Sequence, residues 1–295
     1  MRALVTGAGG FIGRRLVFSL MAKRQTDYRN YNVYITGGST GIGLCLAKEY
    51  ASLGANVAIF ARDVSKLDTA RSQIEAARRS TRQQVIAVSM DVSDEDDVRV
   101  GTADATARVG PPDLLINSAG IVANARFENL SRDVFEAVFR TNVFGMRHVT
   151  HALLPALKVR RGQIVNLASA AGLMGLYGYT AYGGSKYALV GISECLRSEL
   201  RPDGVAVTVV CPPEVTTPMA AAEKATISPE SSAVKQMAGV LDPTAVARTI
   251  VNGVARKRFM IIPGARAKLL YALHVISFGW LTRTVSDLVI RQFRR

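Results

Sequence analysis

The sequence is poor in the residues from which metal sites and disulfide frameworks are built. Its 295 residues include only 3 cysteines and 3 histidines. Cys45, Cys195 and Cys211 lack the paired spacing of a zinc ribbon, and each lies in an apolar stretch. We therefore expect reduced, buried thiols in a reducing compartment, with no disulfides and no metal site.

Long hydrophobic runs are also lacking. The longest apolar run, from Leu269 to Leu281, falls well short of the roughly 20 residues that a membrane-spanning helix needs. A shorter run, from Leu16 to Ala22, follows two arginines but has no signal-peptide cleavage pattern. The sequence therefore predicts a cytoplasmic protein without a spanning helix.

Acidic residues are scarce at the two ends of the chain. The net charge of +14 comes from residues 1–29 and 248–295, whereas the residues between them carry equal numbers of acidic and basic groups. Nucleic-acid-binding proteins place their cations on the folded face, so no nucleic-acid partner is expected. Basic ends rich in apolar residues favour peripheral attachment to the cytoplasmic face of a membrane. The alternative interpretation is solvated charge that only improves solubility.

From residue 31 onward, short strand-like segments alternate with helical lengths. Strands rich in valine and isoleucine, without polar alternation, are typical of parallel sheets that are buried on both faces. The pattern predicts an α/β protein: a single-domain Rossmann fold, with a doubly wound parallel sheet and helices on both faces. The predicted strands are Val33–Thr36, Asn56–Phe60, Val85–Met90, Leu114–Asn117, Gln163–Leu167 and Val205–Val210.

The domain boundaries follow from the same pattern. Residues 1–30 are predicted to form a basic, glycine-rich arm, and residues 31–264 the Rossmann domain. Within this domain, residues 213–240 break the rhythm with small and polar side chains, which is typical of a mobile segment that covers a site. Residues 265–295 are predicted to form a basic amphipathic tail with a helix over Leu269–Leu281. We expect this helix and the covering segment to form a hydrophobic mouth.

A glycine-rich loop follows the first predicted strand and opens a helix. Glycines in this position allow a tight turn and a close approach of the backbone to a pyrophosphate, which then binds at the helix N-terminus. The same GxSxG letters occur at hydrolase nucleophiles, but the chain offers few histidines to complete such a triad. The candidate phosphate-binding residues are Gly37, Ser39, Thr40, Gly41, Ile42 and Gly43.

A second glycine-rich stretch lies at Thr6–Gly13 and resembles the loop of the extended, epimerase-type dehydrogenases. One sheet cannot readily use two first turns, and only the downstream loop is followed by all the later elements at workable spacing. We therefore assign cofactor binding to the downstream loop. The first copy is interpreted either as a vestige or as an arm for membrane or subunit contact.

The preferred cofactor depends on the end of the second strand. An acidic residue there would bind the ribose 2′-hydroxyl of NADH, whereas Arg62 suits the 2′-phosphate of NADPH. Asp63 follows immediately and offers Arg62 an alternative partner. The sequence favours NADPH over NADH.

A tyrosine and a lysine four residues apart form the candidate catalytic pair. On a helix, Tyr182 and Lys186 share one face, and a nearby ammonium lowers the pKa of a phenol by stabilising the phenolate. Tyr182 can then exchange a proton near neutral pH. Ser169 follows the predicted strand Gln163–Leu167 and is placed to hydrogen-bond a substrate carbonyl.

With these motifs the sequence resembles the short-chain dehydrogenase/reductases, of the compact single-domain branch, over residues 32–264. The resemblance implies hydride transfer between a nicotinamide and a ketone, with Tyr182 as proton donor and Lys186 also bound to the nicotinamide ribose. It implies that Asn142 holds a water that relays protons to Lys186. It further implies cofactor contacts from Lys66, Asp91, Val92, Asn117, Ala119, Gly120, Pro212, Val215 and Thr217.

Two departures from the family pattern are mild, and one of them indicates a subgroup. Ser118 replaces the usual second asparagine, and Pro213 stands where the wider family often has glycine. The pattern CPPEVTTP over Cys211–Pro218 resembles the 3-ketodihydrosphingosine reductases, which are membrane-associated and favour NADPH. This resemblance implies a long-chain hydrophobic ketone of sphingolipid metabolism as substrate.

Two other functions stay in consideration. The same mechanism could act on a soluble ketone, a steroid or a 3-oxoacyl thioester, in which case removal of residues 265–295 would leave activity unchanged. A catalytically idle NADP-binding scaffold is disfavoured by the intact set of Ser169, Tyr182 and Lys186. Relatives are usually dimers or tetramers, so a homodimer or homotetramer is expected by analogy.

Overall fold

The computed structural model describes residues 27–293 of the chain. The second glycine-rich loop, Thr6–Gly13, and most of the predicted N-terminal arm lie outside the described residues. Tyr28 is described and is buried, with edge-on ring contacts to Tyr31 and Tyr50. The chain therefore packs on the domain from Tyr28 onward, shortly before the first strand.

A seven-stranded parallel sheet lies at the centre of the domain. The strands of the described residues are β1 (Asn32–Thr36), β2 (Asn56–Ala61), β3 (Val85–Ser89), β4 (Leu114–Asn117), β5 (Gln163–Leu167), β6 (Ala206–Val210), β7 (Glu214–Val215), β8 (Val240–Leu241) and β9 (Met260–Ile261). The central sheet has the order β3-β2-β1-β4-β5-β6-β9, and β7 pairs with β8 in a separate ribbon. The direction of winding reverses between β1 and β4, which is where open α/β sheets bind ligands.

Helices cover both faces of this sheet. The helices of the described residues are α1 (Gly41–Ser52), α2 (Val64–Ala76), α3 (Glu95–Val109), α4 (Arg132–Phe139), α5 (Gly145–Arg160), α6 (Thr180–Leu200), α7 (Pro218–Glu223), α8 (Pro229–Gln236), α9 (Pro243–Ala255), α10 (Ala265–Ile276) and α11 (Trp280–Arg291). In β1, Val33 and Ile35 pack against α1, α2 and α9, whereas Tyr34 packs on the opposite face with α3, α5 and α6. The predicted doubly wound Rossmann fold is confirmed.

The prediction of a single helix over Leu269–Leu281 is wrong. The chain turns between α10 and α11, where Phe278 and Gly279 have positive φ angles of 49° and 76°, and the two helices contact each other. We call residues 265–291 the C-terminal hairpin. None of the helices described over residues 27–293 is both long enough and apolar enough to span a membrane.

Two further expectations also need correction. The seventh strand of the sheet, β9, was not predicted, because two residues are too few to give a recognisable pattern. The expectation of three buried thiols holds for Cys211 but not for Cys195, which is exposed, while Cys45 is half-buried. The side chain of Cys195 is exposed because it lies on the solvent-facing side of α6, next to the exposed Glu194.

The predicted covering segment, residues 213–240, lies over the carboxyl end of the sheet. Its first and last residues are joined because β7 and β8 pair in parallel, and α7 and α8 lie between them. The side chains of Thr217 and Ser228 accept backbone hydrogen bonds in the first turns of these two helices. The segment thus consists of short, capped elements; its mobility stays a prediction.

Candidate active site

The turn between β1 and α1 packs so closely on the end of β4 and on itself that its glycine positions have no room for side chains. A Cβ atom on Gly37 would lie 2.9 Å from the backbone of Ala119, and a Cβ on Gly43 would overlap the carbonyl oxygen of Gly37. Gly37 and Gly41 also have positive φ angles of 64° and 56°, which side chains rarely adopt. The glycines therefore let the backbone itself line a cavity where the winding reverses.

The start of α1 has the properties of an anion-binding site. Among residues 27–293, no side chain caps this helix at Thr40, and its first turn carries no acidic residue. The other helices that do receive a side-chain cap obtain it from Asp63, Asp94, Ser131, Thr217, Ser228 and Asp242. The first amides of α1 and the positive end of its dipole thus remain for a phosphate group.

Two exposed cations follow β2. Arg62 lies 3.7 Å from Asp91, and Lys66 lies 3.1 Å from Asp63, which also caps α2, so Asp63 pairs with Lys66 rather than with Arg62. Burial works to raise the pKa of Asp91, but hydrogen bonds from Ser93 and the charge of Arg62 outweigh it and hold this pKa below its ordinary value. Exposed ion pairs are weak, so both cations can turn toward a 2′-phosphate.

Asn117 lies beneath the site rather than in its wall. Its Nδ2 donates to Thr150 Oγ1 at 3.0 Å and to Asn166 Oδ1 at 2.9 Å, and Asn166 Nδ2 donates to Ser193 Oγ at 2.9 Å. This buried network joins β4 and β5 to α5 and α6. Asn117 Oδ1 is buried without a partner among the described residues, and a buried water would satisfy such an acceptor.

Asn142 lies in a π-helical turn between α4 and α5. Its Nδ2 donates to the carbonyl oxygen of Ile121 and to Ser185 Oγ, both at 3.0 Å, and its Oδ1 accepts from the N–H of Ile121 at 2.8 Å. These contacts fix the loop that follows β4. A Cβ on Gly120 would lie 3.1 Å from Asn142 Oδ1 and 3.6 Å from Lys186 Nζ, so the three residues meet. The water relay through Asn142 stays a prediction.

Tyr182, Lys186 and Ser169 meet at the floor of the cavity. Tyr182 and Lys186 lie about one turn apart on α6, with Lys186 Nζ 5.5 Å from the centre of the Tyr182 ring. Lys186 Nζ donates to the carbonyl oxygen of Leu167, at the end of β5, at 2.9 Å. Ser169 follows this strand, and its Oγ accepts from the N–H of Ala171 at 3.2 Å, which leaves the hydroxyl proton for another acceptor.

Burial is the main cause of the pKa shifts of the candidate catalytic pair, Tyr182 and Lys186. It raises the pKa of Tyr182 to about 12, although the hydrogen bond with Ser169 works to lower it, and it lowers the pKa of Lys186 to about 8. The expectation that Lys186 lowers the pKa of Tyr182 is wrong, because Nζ donates to Leu167 and lies over the ring of Tyr182 rather than at its hydroxyl. At neutral pH, Tyr182 is a neutral phenol and Lys186 an ammonium.

A cavity of about 650 Å³ connects these groups. Of the predicted site residues, it is lined by Gly37, Thr40, Gly41, Ile42, Gly43, Ala119, Gly120, Ser169, Tyr182, Lys186, Pro212, Val215 and Thr217. Those that the structure leaves outside the lining are Ser39, Arg62, Lys66, Asp91, Val92, Asn117 and Asn142. Asn117 and Asn142 lie behind the cavity wall. Arg62, Lys66, Asp91 and Val92 follow β2 and β3, beyond the glycine loop.

A polar cluster of the cavity wall, formed by Tyr179, Glu214, Glu223 and Lys235, was not among the predicted site residues. The Tyr179 hydroxyl donates to Glu223 at 2.6 Å, and Lys235 donates to the same carboxylate at 2.5 Å while lying 3.5 Å from Glu214. Burial, followed by the hydrogen bond to Glu223, raises the pKa of Tyr179 above its ordinary value. The sequence contains one sign of this cluster, a second tyrosine close to Tyr182. The charged residues of the cluster belong to the covering segment, and no local sequence pattern shows that this segment folds back over the site.

The C-terminal hairpin forms the outer wall of the cavity. Leu270 and His274 of α10, and Thr282 and Ile290 of α11, line it. His274 Nδ1 and Thr282 Oγ1 share a 2.6 Å hydrogen bond, which joins the two helices. The mouth of the site is thus built from the covering segment and the hairpin together.

These residues fit a nicotinamide dinucleotide. The glycine loop and the start of α1 would hold its phosphates, Arg62 and Lys66 a 2′-phosphate, and Lys186 and Thr217 its nicotinamide end. When bound, the nicotinamide supplies or receives the hydride. The close-packed glycine cradle supports this fit independently of the motifs.

Comparison with known proteins identifies the family. The sequence profile of the short chain dehydrogenases matches residues 31–228. The chain is 35% identical over 260 residues to the 3-dehydrosphinganine reductase of Danio rerio and to the 3-ketodihydrosphingosine reductase of Bos taurus, across 88% of this chain and 78% of each relative. A short chain dehydrogenase/reductase from Burkholderia phymatum, solved with NAD, matches the fold with a TM-score of 0.76 and 27% identity, over 86% of this chain and 96% of that one. The chain belongs to the short chain dehydrogenase family and is an NAD(P)-dependent oxidoreductase.

Proposed function

We propose that this enzyme uses NADPH to reduce a long-chain amphipathic ketone, 3-ketodihydrosphingosine, to dihydrosphingosine. The observation that carries the proposal is the cavity, which has Tyr182 at its floor and a lining that is more apolar than polar. Met174 of the loop after β5, Val234 of α8 and Leu270 of α10 contribute to its lining, which gives an alkyl chain a path to the surface. The names of the two similar reductases support the same substrate.

In this reaction the side chains of the enzyme handle the proton. The hydroxyl groups of Ser169 and Tyr182 are placed to hydrogen-bond the ketone oxygen, and Tyr182 donates its proton to that oxygen as the carbonyl carbon is reduced. Lys186 is an ammonium at neutral pH and stabilises the phenolate that Tyr182 becomes. The walls around them align the ketone with the cofactor.

The preference for NADPH is supported by the cations that follow β2. Arg62 and Lys66 are each about two-thirds exposed, and their only ion-pair partners among the described residues are Asp91 and Asp63. A 2′-phosphate carries more negative charge than one carboxylate, and the planar guanidinium of Arg62 suits its oxygens.

We also propose that the enzyme works peripherally on the cytoplasmic face of a membrane. At the turn of the C-terminal hairpin, Ile276, Phe278 and Trp280 are 76%, 91% and 67% exposed. Arg283 donates to the carbonyl oxygen of Phe278 and so holds a positive charge at the same turn. Exposed aromatic residues beside cations favour an anionic lipid surface. Assembly as a homodimer or homotetramer stays a prediction.

The proposed function is tested by NADPH oxidation with the full-length protein. We expect turnover of 3-ketodihydrosphingosine in mixed micelles and little or no turnover of a short soluble ketone. The control is Tyr182→Phe, which should lose roughly 10²- to 10⁴-fold in kcat, because a positioned general acid contributes that much, while it retains NADPH affinity. Turnover of the short ketone alone would show that the substrate is a soluble ketone. NADPH binding without any turnover would favour a catalytically idle NADP-binding scaffold.

A further inference from the structure

A chain of charged groups lies in the cavity wall next to the catalytic tyrosine. Glu223 accepts from Tyr179 through one carboxylate oxygen and from Lys235 through the other. Lys235 is also paired with Glu214 at 3.5 Å. The side chains of Glu223, Glu214 and Lys235 are only 5%, 11% and 16% exposed. These groups are thus largely removed from water, yet all of them line the cavity.

The chain of groups carries one more negative charge than positive charge. Lys235 is the only cation paired with Glu214 or Glu223 within residues 27–293. The other charged side chains of the cavity lining, Lys186, Arg283 and Asp287, make no ion pair with either glutamate in that part of the chain. A carboxylate that is removed from water without a full counter-charge is costly. A cation bound beside the two glutamates would balance the charge of this group of side chains.

The surplus negative charge lies near Tyr182. Tyr179 and Tyr182 lie one turn apart at the start of α6, with ring centres 5.9 Å apart. The Tyr179 hydroxyl contacts Glu223, so the carboxylate lies close to the group that donates the proton. Burial has the largest effect on the pKa of Tyr182, and the negative charge of Glu223 also works to raise it. A cation bound here would lie near the ketone under reduction.

We propose that Glu223 and Glu214 bind the ammonium group that a 2-amino ketone carries on the carbon next to its carbonyl. This inference rests on the proposed function and adds the group by which the substrate is recognised. In such a substrate the nitrogen is two bonds from the carbonyl carbon, so the reacting carbon and the ammonium must be bound side by side. A ketone without the amine leaves the surplus carboxylate unpaired, which disfavours its binding.

The test compares Glu223→Gln and Glu214→Gln with the wild-type enzyme. Both variants keep an oxygen acceptor and remove the charge. The control is Glu199→Gln, because Glu199 is exposed near the far end of α6 and does not line the cavity. The substrates are 3-ketodihydrosphingosine and its N-acetyl derivative, which has no ammonium, in identical mixed micelles. We expect the ratio of their kcat/KM values to fall about tenfold or more in the two variants and to stay unchanged in the control.

A purely structural role would lower kcat/KM for both substrates alike and leave their ratio unchanged, which overturns the inference. A second measurement does not depend on turnover: equilibrium binding of dihydrosphingosine and N-acetyl-dihydrosphingosine to the protein loaded with NADP⁺. We expect wild-type protein to prefer the free amine, and Glu223→Gln to lose this preference. If wild type binds both equally, the ammonium site is refuted. If the amine is preferred but no long-chain ketone is reduced, the proposed function fails while the site stands.

Discussion

Among single residues, Lys186 is the one whose protonation state limits the pH range of the reaction. Burial lowers its pKa to about 8, whereas it raises that of Tyr182 to about 12. Reduction needs a protonated Tyr182 and a charged Lys186. Between these two values the tyrosine is still protonated but the ammonium is progressively lost, so Lys186 sets the alkaline limit.

We therefore expect kcat/KM for NADPH in the reduction direction to be steady below pH 8 and to fall about tenfold per pH unit above it. The measurement is a pH profile at saturating ketone, with the stability of the protein checked at each pH. Lys186→Met should have low activity at every pH and lose this inflection. A profile that stays flat to pH 10 would show that the charge of Lys186 is not required.

Arg62 gives a second prediction at this scale. Arg62→Ser removes the cation that we propose binds the 2′-phosphate, and charge-assisted hydrogen bonds contribute about 1.5 to 3 kcal/mol. We expect KM for NADPH to rise at least about tenfold, with KM for NADH nearly unchanged. Arg71→Ser, which removes an exposed arginine from α2, is the matched control. Equal effects on both cofactors would contradict a role in recognising the 2′-phosphate.

The sequence indicates some of these residues and not others. The glycine loop and the pair Tyr182 and Lys186 could be predicted because backbone geometry and helical spacing dictate their residue types. The partner of Asp63 could not, because capping of α2 places this carboxylate beside Lys66 rather than Arg62. The exposure of Cys195 was also missed, since apolar neighbours in sequence do not determine which side of a helix faces water.

At the level of elements, the π-helical turn holds the loop after β4 in place through one side chain. Asn142 is buried and satisfies both the N–H and the carbonyl oxygen of Ile121. Removal of its amide leaves these backbone groups without partners in the interior. The loop after β4 forms part of the cavity wall, so the turn links the stability of the fold to the shape of the site.

We expect Asn142→Ala to lower the free energy of unfolding by about 1 to 3 kcal/mol, the range for a buried polar group left unsatisfied. Urea denaturation measures this change, and NADPH titration of the folded variant measures the effect on the cradle. Asn129→Ala, at an exposed asparagine, should change stability by less than about 0.5 kcal/mol. A loss in Asn142→Ala as small as that of the control would contradict the positioning role.

The strands and helices differ in how clearly the sequence predicts them. The buried strands of the sheet centre are recognisable from their apolar composition, whereas β9 has two residues and is held by pairing with β6. The apolar run at Leu269–Leu281 resembles one helix because the positive φ of Phe278 is set by packing of the hairpin and not by residue type. Glycine at 279 was the only local sign of a turn.

For the whole molecule, the exposed turn of the C-terminal hairpin predicts how the enzyme binds lipid. Phe278→Ser combined with Trp280→Ser removes two large exposed side chains, each of which contributes roughly 1.5 to 3 kcal/mol when fully buried. We expect co-sedimentation with vesicles of phosphatidylcholine and phosphatidylserine to weaken at least about tenfold. Val159→Ser, at an exposed apolar residue of α5, is the control. Undiminished binding of the double variant would rule out the hairpin as the membrane contact.

The arrangement of the covering segment is the part that the sequence leaves undetermined. Residues 213–240 were recognised as an interruption of the α/β pattern, but Glu214, Glu223 and Lys235 come together only when the segment folds back over the sheet. Contacts of this kind depend on tertiary structure and leave no periodic pattern in the sequence. For this reason the reaction type follows from motifs, whereas the groups that select the substrate emerge only from the fold.

The uncapped start of α1 has a consequence for the lifetime of the enzyme in the cell. A dinucleotide that satisfies these amides binds the native state and not the unfolded chain, so it stabilises the fold by about 2.7 kcal/mol when its free concentration is 100 times Kd. Unfolded chains are the form that proteases degrade, so a shortage of the dinucleotide, whether oxidised or reduced, shortens the survival of the protein as well as slowing its catalysis. The abundance of the enzyme thereby follows the total supply of its cofactor without a separate sensor.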